Sequence, residues 1–376
     1  MEAKTLQLSH TWLTEVLRQS GDAGDASVTD IKIEPLRHQG RSSLLFRCTP
    51  AFDKNTSTEL SSLIFKCPTE DKQIRGKLSK FDGYRREVNF YKADILAGKV
   101  WAPKIYYCNE SGDLNPKGIL MEDLGRGRIG SIFNSHADDA SVAIDALAHM
   151  HASFWESPLL ARLPWLVRFN NTSALEGAAQ TFASSLQVVR RTFGNILSTY
   201  TLRIAEAWVA NFDAALDAMA RLPVTLVHGD AHPGQMFFPT REQRRFYLVD
   251  WQNATAASGA VDVARFLVMG LKADLRQKFE QDLVARYLGH LYRAHVTQIQ
   301  AEEFWLHIRL SNLWNLFLNV LAVAESGQDD GFPQTDRVAG FDWQSLILSR
   351  TDRAMRDWEV GEALVRSLAM VRHSRP

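Results

Sequence analysis

The stretch His228-Gly229-Asp230-Ala231-His232-Pro233-Gly234-Gln235, followed downstream by Leu248-Val249-Asp250-Trp251-Gln252, decides how the rest of this chain is read. Asp230 stands five positions before an amide side chain and 20 before a second carboxylate that closes an apolar strand. These are the groups needed to move a phosphoryl group from a nucleoside triphosphate. One carboxylate accepts the proton of an acceptor hydroxyl and aims that oxygen in line with the phosphorus. An amide oxygen and a second carboxylate hold Mg²⁺, a hard cation that takes oxygen ligands and bridges phosphates. Asp230 is thus the candidate base, and Gln235 and Asp250 are the candidate metal ligands.

The same chemistry calls for a lysine on a strand and a glutamate on a nearby helix. Leu63-Ile64-Phe65-Lys66-Cys67 sets a lysine inside an apolar strand, and Glu87 follows 21 residues later in a helical stretch from Gly83 to Leu96. A lysine among apolar strand residues is costly unless paired, so an ion pair with Glu87 that presents Lys66 to the α- and β-phosphates accounts for both charges.

Around these parts the apolar spacing changes character once. From Val28 to Glu122 it is mostly strand-like, at Ile31 to Leu36, Leu44 to Cys48, Leu63 to Cys67, Ile105 to Cys108 and Ile119 to Met121. Beyond Leu124 the period is helical, broken by a β-island at Thr225–His228, Met236–Phe238 and Phe246–Asp250. The expectation is an α+β chain with a small antiparallel-sheet N-lobe over residues 1–122 and a large, mainly helical C-lobe over 123–376. The first 18 residues read as an amphipathic helix rather than a signal peptide.

On the residues from His228 to Gln235, from Asp250 to Gln252 and at Met121-Glu122-Asp123-Leu124, the chain resembles the aminoglycoside phosphotransferase and choline kinase-like superfamily, especially its ecdysteroid kinase-like branch. The marks of that group are His-Gly-Asp-x-His-x-x-Asn, a downstream Asp-Phe or Asp-Trp-Gln, and an apolar-Glu-Asp-Leu hinge. The resemblance implies a two-lobed protein-kinase-like fold that uses ATP and Mg²⁺ to phosphorylate a hydroxyl of a small molecule. It implies Asp230 as catalytic base, Gln235 and Asp250 as metal ligands, and Lys66 with Glu87 as the phosphate-binding pair. The backbone around Met121, Glu122 and Asp123 becomes the adenine hinge, and Gly259 to Leu267, with Asp262, matches the segment that follows. A phosphate-covering loop with Gly40 and Ser42 falls between the first two strands. One position departs: Gln235 stands where the family usually has Asn. Its extra methylene adds about 1.5 Å of reach, so the metal site is re-spaced or water-bridged. A nucleotide-binding pseudokinase with a regulatory or scaffold role is the alternative that this substitution opens.

Other readings are weaker on spacing. Lys plus Arg and Asp plus Glu both number 43, so no whole-chain charge excess points to nucleic acid or an anionic membrane. No apolar stretch approaches the roughly 20 residues of a membrane span. Gly125-Arg126-Gly127-Arg128-Ile129-Gly130 matches a dinucleotide fingerprint but precedes no second parallel strand, and reads instead as a flexible connection after the hinge. His228 and His232 lack a third nitrogen or sulfur ligand for zinc and read as supports of the loop; His149 and His151 read as packing residues. A second Asp-Trp-Gln at Asp342 lacks a preceding strand and reads as a helix N-cap. Cys48, Cys67 and Cys108 are odd in number and widely spaced, as free thiols in a cytoplasmic protein would be.

Overall fold

The computed structural model describes residues 6–36, 43–56, 60–68, 83–93, 98–110, 116–125, 127–133, 137–169, 171, 175–326 and 342–373. Gly40 and Ser42, and with them the expected phosphate-covering loop, lie outside the described residues.

Five strands, β1 (Val28–Pro35), β2 (Ser43–Phe52), β3 (Leu63–Pro68), β4 (Ile105–Asn109) and β5 (Gly118–Glu122), form an antiparallel sheet in the order β1-β2-β3-β5-β4. Strand alternation gives β3 two different faces. Leu63 and Phe65 join Phe46, Cys48 and Leu120 against Trp12, Leu13, Val16 and Leu17 of helix α1 (His10–Gln19). That helix is capped by the Ser9 side chain, which accepts from the Trp12 amide at 3.4 Å. Ile64 faces the other way, with Ile119 and Met121, onto Val88 of α2 (Gly83–Lys92). Lys66, two residues along, shares that face and lies in register with Leu45 and Ile119. An ammonium is therefore delivered under α2, on the strand in the middle of the sheet.

The helical lobe holds α3 (Ala137–Phe154), α4 (Ala178–Phe193), α5 (Thr199–Ala210), α6 (Phe212–Ala220), α7 (Ala260–Gly270), α8 (Ala273–Arg293), α9 (Ala301–Glu325), α10 (Trp343–Asp357) and α11 (Val360–His373). The long α9 packs against α4, α7 and α10, and every residue of α7 is buried. None of the described helices is long and apolar enough to cross a membrane. Asp342 caps α10 by accepting from the Gln344 amide at 2.9 Å, as its sequence position indicates.

The β-island divides between two small sheets. β9 (Met236–Phe238) pairs with β10 (Tyr247–Leu248) and with β6 (Arg128–Ile129), while β8 (Thr225–Val227) joins β11 (Thr255–Ala257) and β7 (Val167–Arg168). The glycine-rich segment after the hinge is accordingly not a flexible connection. Its Arg128 and Ile129 pair with Phe238 and Phe237, and the Gly130 amide donates to Met236 O at 2.9 Å.

The lobes meet through an aromatic contact. Phe90 of α2 is 2% exposed, belongs to the core of the helical lobe, and stacks on Trp251 with ring centroids 4.0 Å apart. Truncating Phe90→Ala removes this ring from a packed interior and is expected to cost about 3–5 kcal/mol of stability, read as a lower urea midpoint.

Candidate active site

Each charged part of the site is held because its neighbours leave it nowhere else to go. Lys66 Nζ lies 2.7 Å from Glu87 and 2.6 Å from Asp250 Oδ1, with a side chain only 7% exposed. Burial disfavours its charge, but Asp250 and Glu87 together more than offset that, and the ammonium titrates above the ordinary lysine value. Burial raises Glu87 to about 7; Lys66 opposes the rise and Asp250 adds to it. The expected Lys66–Glu87 pair is present, and Asp250 completes it from the other lobe.

Asp250 sits in the left-handed region, at φ 67° and ψ 60°, where an L residue other than glycine is strained by about 1–3 kcal/mol. That turn ends β10 abruptly and directs the carboxylate toward Lys66. Its Oδ2 accepts from Gln235 Nε2 at 3.0 Å. The sequence element carrying Asp250 is brought to the loop of Asp230 by the Val249 amide, which donates to Gln235 O at 3.0 Å. His228 supports the same junction: its Nε2 donates to Val249 O at 2.9 Å and its ring lies edge-on to Trp251. These are the structural duties read for His228 in the sequence.

The loop is anchored from below by Asp262 on the wholly buried α7. Its carboxylate accepts the amide hydrogens of His228 at 2.6 Å and Gly229 at 2.8 Å, and His151 Nε2 at 3.2 Å. His151 Nδ1 in turn accepts from Tyr287 Oη at 2.8 Å, so this histidine does more than pack. Two adjacent amides can reach one carboxylate only if the backbone turns sharply between them, and Gly229 does so at φ 81°.

Asp230 is paired with Arg265, whose Nε and Nη2 lie 2.9 and 2.8 Å from Oδ1. Burial alone would raise this carboxyl, but Arg265, then His232 and His228, outweigh it and hold Asp230 below the usual carboxylate value. Burial pushes His232 below the ordinary histidine value, and its Nδ1 accepts from the Gly234 amide at 3.1 Å. Arg265 and its partner Asn319 belong to this site and were missed by sequence reasoning. A signal was there: Asp262 and Arg265 are the two charged residues of the otherwise apolar run Ala260–Gly270.

At the hinge, Asp123 is spent on architecture. Its Oδ2 accepts from Arg47 at 2.7 Å and Ser62 at 2.6 Å, and its Oδ1 from the Gly125 amide at 2.9 Å. Burial works to raise this carboxyl, but Arg47 and Ser62 hold it below the ordinary value. The Glu122 amide donates to Lys104 O, so that N–H is also engaged. Met121 is buried in the strand.

For a metal, Asp250 and Gln235 supply a carboxylate and an amide oxygen. Among the described residues no group of three or more His, Cys, Asp or Glu could hold a metal. A two-ligand oxygen site suits Mg²⁺, which keeps several waters and binds through few protein oxygens plus phosphates. The donor types of Asp250 and Gln235 suit that ion, with Gln235 here presenting Nε2 to Asp250 so that its amide would have to turn to offer oxygen.

Residues 39–301 match the model of the ecdysteroid kinase-like family, and the chain belongs to that family. Among solved structures it is similar to an ethanolamine kinase from Plasmodium vivax, with a TM-score of 0.52 at 12% identity, covering 90% of this chain and 86% of that one. It is also similar to a choline kinase from Streptococcus pneumoniae, with a TM-score of 0.51 at 13% identity, covering 96% and 98%. The shared fold is two-lobed and kinase-like. Comparison with curated protein sequences yields no match.

A Cβ at position 229 would stand 2.1 Å from Asn253 O, on a backbone that disfavours side chains. Gly229→Ala is expected to cost about 3 kcal/mol in urea unfolding, combining left-handed strain with overpacking.

Proposed function

We propose that this protein is an ATP- and Mg²⁺-dependent phosphotransferase that acts on a hydroxyl group of a small molecule. The observation that carries the reading is the meeting of Glu87 and Asp250, one from each lobe, on Lys66 Nζ at 2.7 and 2.6 Å, beside the loop that holds Asp230. The N-terminal unit, residues 1–122, would bind the nucleotide, and 123–376 would carry the catalytic loop and the acceptor pocket. Lys66, steadied by Glu87, would neutralise the α- and β-phosphates, and backbone groups of Met121 to Asp123 not already engaged would meet the adenine. Gly40 and Ser42 would cover the phosphates. Asp250 and Gln235 would hold Mg²⁺, which would supply positive charge to offset that of the phosphates. Asp230 would accept a hydrogen bond from the acceptor hydroxyl, orient it in line, and take its proton as the acceptor oxygen bonds to the γ-phosphorus and the bond from that phosphorus to the departing ADP oxygen breaks. Family membership and the kinases with the same fold support this reading. The three cysteines, none in a disulfide, are consistent with a cytoplasmic protein.

The bond from Gln235 Nε2 to Asp250 favours a second reading, a nucleotide-binding pseudokinase in which the amide occupies the metal-side carboxylate. Calorimetry with Mg·ATP and a screen of hydroxylated metabolites by ADP release separate the two. The phosphotransferase reading expects Mg²⁺-dependent ADP release with at least one acceptor. Asp230→Ala should lower turnover by about 100-fold or more while ATP binding persists, and unchanged turnover would remove Asp230 from its role. ATP binding with no transfer to any hydroxyl compound leaves the pseudokinase.

A further inference from the structure

Arg265 is 6% exposed on a helix whose every residue is buried, and its guanidinium reaches two different elements. Nε and Nη2 both donate to Asp230 Oδ1, and Nη1 donates to Asn319 Oδ1 of α9 at 2.6 Å. Asn319 is fully buried and its Nδ2 donates to Thr351 Oγ1 of α10 at 2.7 Å; that hydroxyl donates to Ile347 O at 2.7 Å. Asp230 is thereby braced through three helices. The brace is one-sided: Oδ2 stands 3.7 Å from His232 Nε2, outside hydrogen-bond reach.

We propose that Arg265 is the positioning residue for Asp230, fixing the carboxylate through Oδ1 so that Oδ2 is the oxygen that receives the acceptor hydroxyl. The inference rests on the phosphotransferase reading for the identity of that hydroxyl, but not for the brace itself. A planar guanidinium can hold a carboxylate oxygen with two donors and a third partner behind, which a lysine ammonium on a flexible stem does less well. Orientation is the larger part of what a phosphoryl-transfer site supplies, and a misplacement near 1 Å costs about 100-fold in rate. The same cation keeps Asp230 ionised. The charged and titratable groups that face Asp230 are Arg265 from α7 and His228 and His232 from its own loop, so the acid limb of activity reports on Arg265 once His232 is controlled for.

The test compares wild type, Arg265→Met and Arg265→Lys, each also in a His232→Gln background, with two readouts. In the ADP-release assay, Arg265→Met should lower kcat about 100-fold with KM for ATP unchanged, and should move the acid limb of kcat to higher pH. Arg265→Lys should recover part of both changes. Carboxyl ¹³C NMR of aspartate-labelled protein, assigned with Asp230→Asn, should show the Asp230 titration moving upward in Arg265→Met and partly back in the lysine variant. Thr351→Val, at the far end of the brace, should lower kcat in the same direction by less. A kcat unchanged in Arg265→Met, or a fall with neither the acid limb nor the Asp230 titration moved, overturns the proposal. If the titration moves as expected while wild type transfers phosphate to no hydroxyl compound, the phosphotransferase reading fails and the brace stands.

Discussion

An ammonium buried to 7% exposure cannot stand unpaired, because the effective penalty for desolvating such an ion is several kcal/mol. Lys66 meets that demand with carboxylates from both lobes, Glu87 from α2 and Asp250 from the strained turn after β10. The rest of the site depends on this arrangement. It ties α2 to the sheet, links the two lobes, and engages the carboxylate that would face a metal. Burial raises Glu87 to about 7 against the pull of Lys66, with Asp250 adding to the rise, while burial works against the charge of Lys66 and the two carboxylates hold it above the ordinary lysine value. A cation placed among them, or a phosphate placed on Lys66, would redistribute that charge.

The helical lobe solves a matching problem with the opposite sign. Helix α7 has no exposed residue, so Asp262 and Arg265 had to find partners inside the protein. Asp262 takes two backbone amides and a histidine, which shapes the loop. Arg265 takes the side chain that the loop presents. One buried helix therefore sets both the backbone and the orientation of Asp230. The left-handed Gly229 and the stacked Phe90–Trp251 pair follow from the same crowding, since loop, turn and α2 converge on one small volume.

Legibility in the sequence followed a physical division. Period-two spacing in the first third and helical spacing afterwards are local signals, and they foretold the antiparallel sheet, α2 and the helical lobe. Lys66 and Glu87 were readable as a pair because an isolated charge in an apolar strand asks for a partner. The motif from His228 to Gln235 with Asp250 was readable because its spacing is a chemical requirement. Strands of two or three residues, such as β6, β7 and β11, were not, since so few positions carry no period and form only where a partner strand is offered. The engagement of Asp123 with Arg47 and Ser62, 76 and 61 residues away, was equally invisible.

Sequence alone determined the fold class, the family resemblance and the residue types of the site, because these rest on local periodicity and on short motifs whose order is written along the chain. Tertiary structure alone decided which oxygen of Asp230 is held, that Arg265, Asn319 and Thr351 hold it, and that Asp123 serves the architecture of the hinge. Those outcomes depend on side chains distant in sequence competing for the same buried partners, and that competition exists only once the lobes have packed.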